Sequence, residues 1–167
     1  MRLDYAGINI LIAGSSFPPL YYGMYCNMSV AVLYLTLICI AGGVIFVISL
    51  FEWIHKLENG HMKAFLYGGF GISLSIPLTH LVLNETIFNK EGGDPFQILS
   101  SVPYYLLCGA SYLYGLYVYT ARCPERKRPG QFNLCGHSHQ IWHCFVVLGI
   151  IFQYIAVLET FEVRKVS

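Results

Sequence analysis

From Met28 to Phe51 the chain carries no Asp, Glu, Lys, Arg or His. A helix of about 20 apolar residues reaches across the hydrocarbon core of a bilayer. Inside lipid every backbone N–H and C=O must be satisfied within the protein, so a run like this one has helix as its natural structure.

Four further segments have comparable character, near residues 4–25, 64–83, 98–121 and 139–158. Charged residues make up 11% of the chain, against roughly 25% in an ordinary soluble domain. The expected architecture is all-α: a polytopic membrane helix bundle of five transmembrane helices, with residues 1–167 forming a single transmembrane domain. Pro18-Pro19 should distort the far end of the first span, and Pro77 and Pro103 should bend the third and fourth. Residues 1–25 fit a secretory signal poorly, because Asp4 and the two prolines interrupt its pattern. Net charge is +1, with no basic block able to hold a polyanion, so no nucleic-acid partner is expected. The six cysteines are scattered, mostly in apolar runs, and form no C-x-x-C pair. They read as small hydrophobes rather than as a disulfide framework.

An odd number of spans sorts the loops onto two sides. Arg2, Lys56, Lys63, Arg122, Arg126, Lys127 and Arg128 share one side, and Lys90, Arg164 and Lys165 the other. The richer side is cytosolic by the positive-inside rule, which leaves the N-terminus in the cytosol and the C-terminus external or lumenal. Asn27-Met28-Ser29 and Asn84-Glu85-Thr86 match the glycosylation acceptor pattern, and both fall on the non-cytosolic side. Tyr21, Tyr22 and Tyr25 suit an outer interfacial belt. The fourth span has more tyrosines than a belt requires, so some of them should face the bundle. Gly42-Gly43 and Gly68-Gly69-x-Gly71 lie inside spans, where small residues let helices approach closely.

His139 and His143 open the last apolar run, four residues apart and so on one helix face. Imidazoles at that spacing form a common zinc-binding geometry, and ionisable groups at membrane depth are costly enough to suggest function. Interfacial histidines without metal are the alternative. Asp4 starts the first span at the same depth, where it would serve either as a helix cap or as an acid beside a metal-bound water. His137 is off the shared face and expected to be solvated, while Cys135-x-His137-x-His139 offers a separate metal clip. His55 and His61 belong to the second cytosolic loop. His80, toward the outer end of the third span, should hydrogen-bond within the bundle.

Arg2-Leu3-Asp4-Tyr5-Ala6-Gly7-Ile8, Gly14-Ser15-Ser16 and Tyr21-Tyr22 together resemble the third helix of the progestin and adipoQ receptor family, which is related to haemolysin III. Ile76-Pro77-x-x-His80 resembles its fifth helix. Pro124-Glu125-Arg126, Pro129-Gly130-x-Phe132-Asn133 and Ser138-His139-Gln140-Ile141-Trp142-His143 resemble the loop into its seventh, with Asn133 where an acidic residue is common. The matches run in order along essentially the whole chain.

The resemblance implies a seven-helix receptor with a cytosolic N-terminus and Zn2+ near the inner membrane face, with ceramidase-like lipid amide hydrolysis in some members. By motif position His139 and His143 correspond to two zinc ligands, and Asp4 to the acid beside the zinc-bound water. The family's first two helices, and the Ser-x-x-x-His motif that supplies a third ligand, have no counterpart here. A partial gene product or a truncated paralogue is therefore expected, and in the second case zinc would be completed by waters or by His55, His61 or His137. Membrane lipids, a lipid or protein hormone ligand and a homo-oligomer are the partners this reading allows. Purely structural zinc and a non-catalytic fragment are the competing readings.

Overall fold

The computed structural model describes residues 2–51, 60–84, 100–128, 130–132 and 135–166, with the backbone alone for residues 2–5, 26, 60, 61, 63, 164 and 166. Among the described residues there are helices and turns but no strand. The helices are α1 (Arg2–Ser15), α2 (Phe17–Gly23), α3 (Met28–Leu50), α4 (Gly60–Ser73), α5 (Ser75–Leu83), α6 (Val102–Ala121) and α7 (Ser138–Val166), with a 3-10 turn at Tyr25–Asn27. By length and composition, Met28–Leu50, Ala64–Leu83 and Ser138–Val163 are each sufficient to cross a membrane. The first has a mean hydropathy of 2.7.

Proline chemistry explains how the first and third expected spans are divided. Pro18 and Pro19 lack the N–H groups that would bond the carbonyls of Gly14 and Ser15. The helix breaks at Ser16, where Ser16 Oγ donates to the Ala13 carbonyl at 2.6 Å. The Ser15 carbonyl instead accepts from Gln153 Nε2 at 2.6 Å, so α7 supplies the donor that Pro19 withholds. Pro77 likewise leaves the Ser73 carbonyl without its helical donor, and the α4–α5 break falls at Leu74.

Pro103 behaves differently from expectation. It occupies the first turn of α6, where a missing N–H has no helical acceptor to lose, so it starts the helix rather than bending it. The fourth expected span accordingly begins as helix at Val102, and Ile98 and Leu99 lie outside the described residues. The last helix continues past the expected Leu158 to Val166.

α3 buries Ala31, Ile38, Gly42, Ile45 and Ser49, a single stripe at helical spacing. Its other faces expose Leu33, Leu37, Ile40, Val44 and Val47, as expected of a helix facing lipid. Leu20, Met24, Ala31, Ile38, Ile45, Tyr67, Phe70 and Leu81 form the core that joins α2, α3, α4 and α5. The most extensive helix–helix contact is between α6 and α7. There Tyr105 Oη lies 3.4 Å from Thr160 Oγ1, while Tyr114 and Tyr117 are exposed. The tyrosines of the fourth span therefore divide between bundle and periphery.

Candidate functional site

The two ends of the bundle differ in chemistry. At one end Asn27, His80 and Asn84 line a small cavity of about 20 Å3 together with Gly23 and Leu81. His80 is tied there to α3, with Tyr34 Oη 3.0 Å from its Nδ1, so the expected hydrogen bond within the bundle is present. Both candidate glycosylation asparagines thus share one end, away from His139.

At the opposite end His139 and His143 sit in the first turns of α7, both half-buried. Their rings meet edge to face with centroids 4.7 Å apart, and the two Nε2 atoms are 3.1 Å apart. With both imidazoles neutral, one Nε2–H donates to the other Nε2. Two imidazole nitrogens on one tetrahedral ion at about 2.0–2.1 Å would stand roughly 3.3 Å apart. The separation of the pair is therefore close to that of two ligands of such an ion, and the ring that donates here would ligate once its proton moves to Nδ1. Among the described residues no third His, Cys, Asp or Glu joins the pair, so the Cys135-x-His137-x-His139 clip is not formed. The Asp4 and His61 side chains and all of His55 lie outside the described residues.

Tyr119 packs its ring edge-on to His139 with centroids 5.7 Å apart, and Trp142 lies against the same tyrosine. Ile8, Ala64, Tyr67, Tyr119, His139 and Trp142 line a water-sized cavity of about 20 Å3, so α1, α4, α6 and α7 converge on His139. Ile8 lies one turn beyond Asp4 on α1. Toward the bundle centre two apolar cavities of about 300 Å3 and 160 Å3 share Gly71, Leu74, Ser75, Gly109 and Tyr112. The larger one reaches Ile8, Tyr67 and Trp142, the residues that also border the histidine cavity.

The loop from α6 carries a contact that sequence reasoning missed. Glu125 accepts from the Ser138 backbone N–H at 2.8 Å through Oε2, and Ser138 Oγ donates to Oε1. Burial pushes the Glu125 carboxyl up, but the bonds from Ser138, its own backbone N–H and the nearby His137 together hold it below its ordinary value. His137 is not simply solvated either. It is half-buried and its Nδ1 accepts from the Gln140 N–H at 3.2 Å, while Gln140 Oε1 accepts from the Gly136 N–H at 2.6 Å. The arrangement resembles a capping box with an imidazole in place of the usual hydroxyl, except that Gln140 reaches the N–H of Gly136, one residue before the cap. The signal was in the sequence: Gln140 stands three residues after His137, at the start of an apolar run.

Comparison with known proteins agrees with this architecture. The family model described as "Haemolysin-III related" matches residues 1–154. The Arabidopsis thaliana protein named "Heptahelical transmembrane protein 5" is 40% identical over 92% of this chain and 39% of its own length. "Heptahelical transmembrane protein 4" of the same plant is 38% identical over 100% of this chain and 42% of its own. The Drosophila melanogaster "Adiponectin receptor protein" is 35% identical over 95% of this chain and 34% of its own. The chain thus spans about two fifths of the length of these relatives. With apolar helices and a family match over most of its residues, this integral membrane protein belongs to the haemolysin-III-related family, that of the progestin and adipoQ receptors.

Proposed function

We propose that the chain is part of an adiponectin/progestin-receptor-like membrane receptor in which His139 and His143 hold zinc at the cytosolic end of the bundle, beside an apolar cavity that takes a lipid chain. The observation that carries this reading is the 3.1 Å approach of the two Nε2 atoms. Both imidazoles present the nitrogen a zinc site uses, from one rigid helix turn, within a cluster that α1, α4 and α6 close. The N-terminus is cytosolic in this arrangement and the C-terminus external or lumenal.

When bound, zinc supplies Lewis acidity and a water whose pKa falls to about 7. The chain's own residues do the rest. His139 and His143 bind through Nε2, Tyr119 packs against His139 with Trp142 behind it and limits access of bulk water, and the Asp4 carboxylate takes a proton from the attacking water. Three things support Asp4 in that role: its motif position, its place at the start of α1, and the adjacency of Ile8 to the histidine cavity. The cavities of about 300 Å3 and 160 Å3 are lined almost wholly by apolar groups and suit the acyl chain of a lipid amide such as ceramide.

Metal analysis of protein purified in detergent tests the reading. About one zinc per chain is expected, and it should be lost in the His139→Ala/His143→Ala double variant. Asp4→Ala should keep the zinc and lose release of fatty acid from ceramide. Zinc without turnover would leave a receptor whose zinc is structural. Intact protein without zinc overturns the proposal.

A further inference from the structure

Glu125 bonds neither His139 nor His143, yet it holds the first turn of α7, in which His139 lies. It lies in the loop that leaves α6, and both of its carboxylate oxygens are bound by Ser138, the first residue of α7 and the immediate neighbour of His139. The first N–H groups of a helix have no partner inside the helix, and a terminus left unsatisfied frays. Here three donors near the start find side-chain acceptors, the Gln140 N–H sharing its bond with the His137 carbonyl at 3.0 Å. Ser138 N–H goes to Glu125, Gln140 N–H to His137 Nδ1, and Gly136 N–H to Gln140 Oε1. Only the first of these ties α7 to a distant segment, the loop that leaves α6. A carboxylate at this end also meets the positive end of the helix dipole, worth roughly 0.3–1 kcal/mol at a surface.

Two anchors consequently fix α7 against α6 at the depth of the histidines. One is the Tyr119 ring against His139, and the other is the Glu125–Ser138 clamp. Release of the clamp would let the first turn fray, and His139, its second residue, would move with it. His143, a turn further in and beside Phe145 and Val146, would not. The 3.1 Å separation between Nε2 atoms depends on both residues keeping helical geometry.

We propose that Glu125 is a positioning residue for the histidine pair: by binding both donors of Ser138 it keeps the first turn of α7 helical and so holds His139 Nε2 in register with His143 Nε2. The proposal rests on the zinc reading for its functional consequence, but the clamp has a readout of its own. Residues that orient metal ligands from behind typically change affinity by about 10–100-fold when removed.

The test uses the full chain in detergent or nanodiscs, with zinc affinity read by chelator competition and amide exchange read over residues 136–143. Glu125→Ala should weaken zinc about tenfold and speed exchange of the Ser138 to Ile141 amides, leaving the rest of α7 protected. Glu125→Gln keeps an acceptor for the Ser138 N–H and a donor for its hydroxyl, so it should recover most of both losses. Ser138→Ala removes a single bond without disturbing the loop, and should give a smaller loss in the same direction. That variant decides the question if Glu125→Ala fails to fold.

Unchanged zinc affinity in Glu125→Ala overturns the proposal. So does a Glu125→Gln as impaired as Glu125→Ala, because charge rather than hydrogen bonding would then be responsible. Wild-type protein without zinc would overturn the proposed function instead, and in that event unchanged exchange in Glu125→Ala and Ser138→Ala would still sink the clamp.

Discussion

Gln153 shows how one side chain settles the course of another helix. Its Nε2 donates to the Ser15 carbonyl at 2.6 Å, across 138 positions of sequence, and replaces a donor that Pro19 cannot provide. Leucine at this place would keep the apolar contacts and leave that half-buried carbonyl without its donor. Gln153→Leu should therefore cost about 1–2 kcal/mol, read as a lower unfolding temperature in detergent. Pro19→Ala restores the backbone donor, so the double variant should lose less than Gln153→Leu alone, and a double-mutant cycle measures the coupling. Additive losses would show that the two residues act independently. The prolines and the break they cause were legible in the sequence. The residue that repairs the break was not, because a lone Gln in an apolar run has no local pattern pointing to its partner. The histidine pair was legible for the opposite reason, since spacing along one helix fixes which side chains meet.

At the scale of helices, close packing is decided by some of the glycines that sequence reading grouped and by others that it did not single out. Gly42 does approach α1, where an added Cβ would lie 3.5 Å from Ala13, and at Gly68 it would lie 2.7 Å from a methyl of Leu116. Gly43, Gly69 and Gly71, grouped with them by pattern, have no described atom within 4 Å of such a Cβ. A seam as close runs between α6 and α7. A Cβ at Gly115 would stand 2.8 Å from Phe145 Cβ, and one at Gly149 would stand 2.7 Å from the Tyr112 ring. Neither neighbour is the free end of a flexible chain, so the helices themselves would have to separate. Gly115→Ala and Gly149→Ala should each destabilise by about 1–3 kcal/mol. Gly69→Ala should be neutral or stabilise by up to about 1 kcal/mol through helix propensity. Thermal unfolding of the three variants in one detergent compares them directly. An isolated glycine and a paired one look alike until the facing helix is known, which is why the run of letters misled. Likewise Pro103 could be assigned as a kink only by assuming that its helix began at Ile98. Its actual role depends on where the first turn lies.

Across the whole molecule, chemistry separates along the bundle axis. The histidine pair, the Glu125 clamp and the basic loop of Arg126, Lys127 and Arg128 occupy one end. Asn27, Asn84 and His80 occupy the other, with Tyr22 against Phe161 at 5.3 Å completing an aromatic rim there. A count of basic residues and a short acceptor pattern, neither of which refers to the fold, assigned these same groups to opposite sides. Their physical separation follows because a helix that crosses a bilayer must deliver its two ends to different aqueous phases. A direct test of the orientation uses Cys135, which is exposed in the loop before α7. In a Cys26→Ser/Cys123→Ser background, a membrane-impermeant maleimide added to intact cells should leave Cys135 unlabelled, and opening the plasma membrane with digitonin should label it. Replacing Asn27, exposed at the head of α3, by cysteine in the same background puts a thiol at the other end. In protein resident at the plasma membrane that thiol should react in intact cells. Labelling of Cys135 before permeabilisation would invert the bundle, placing the histidines outside and overturning the proposed cytosolic zinc site and its chemistry.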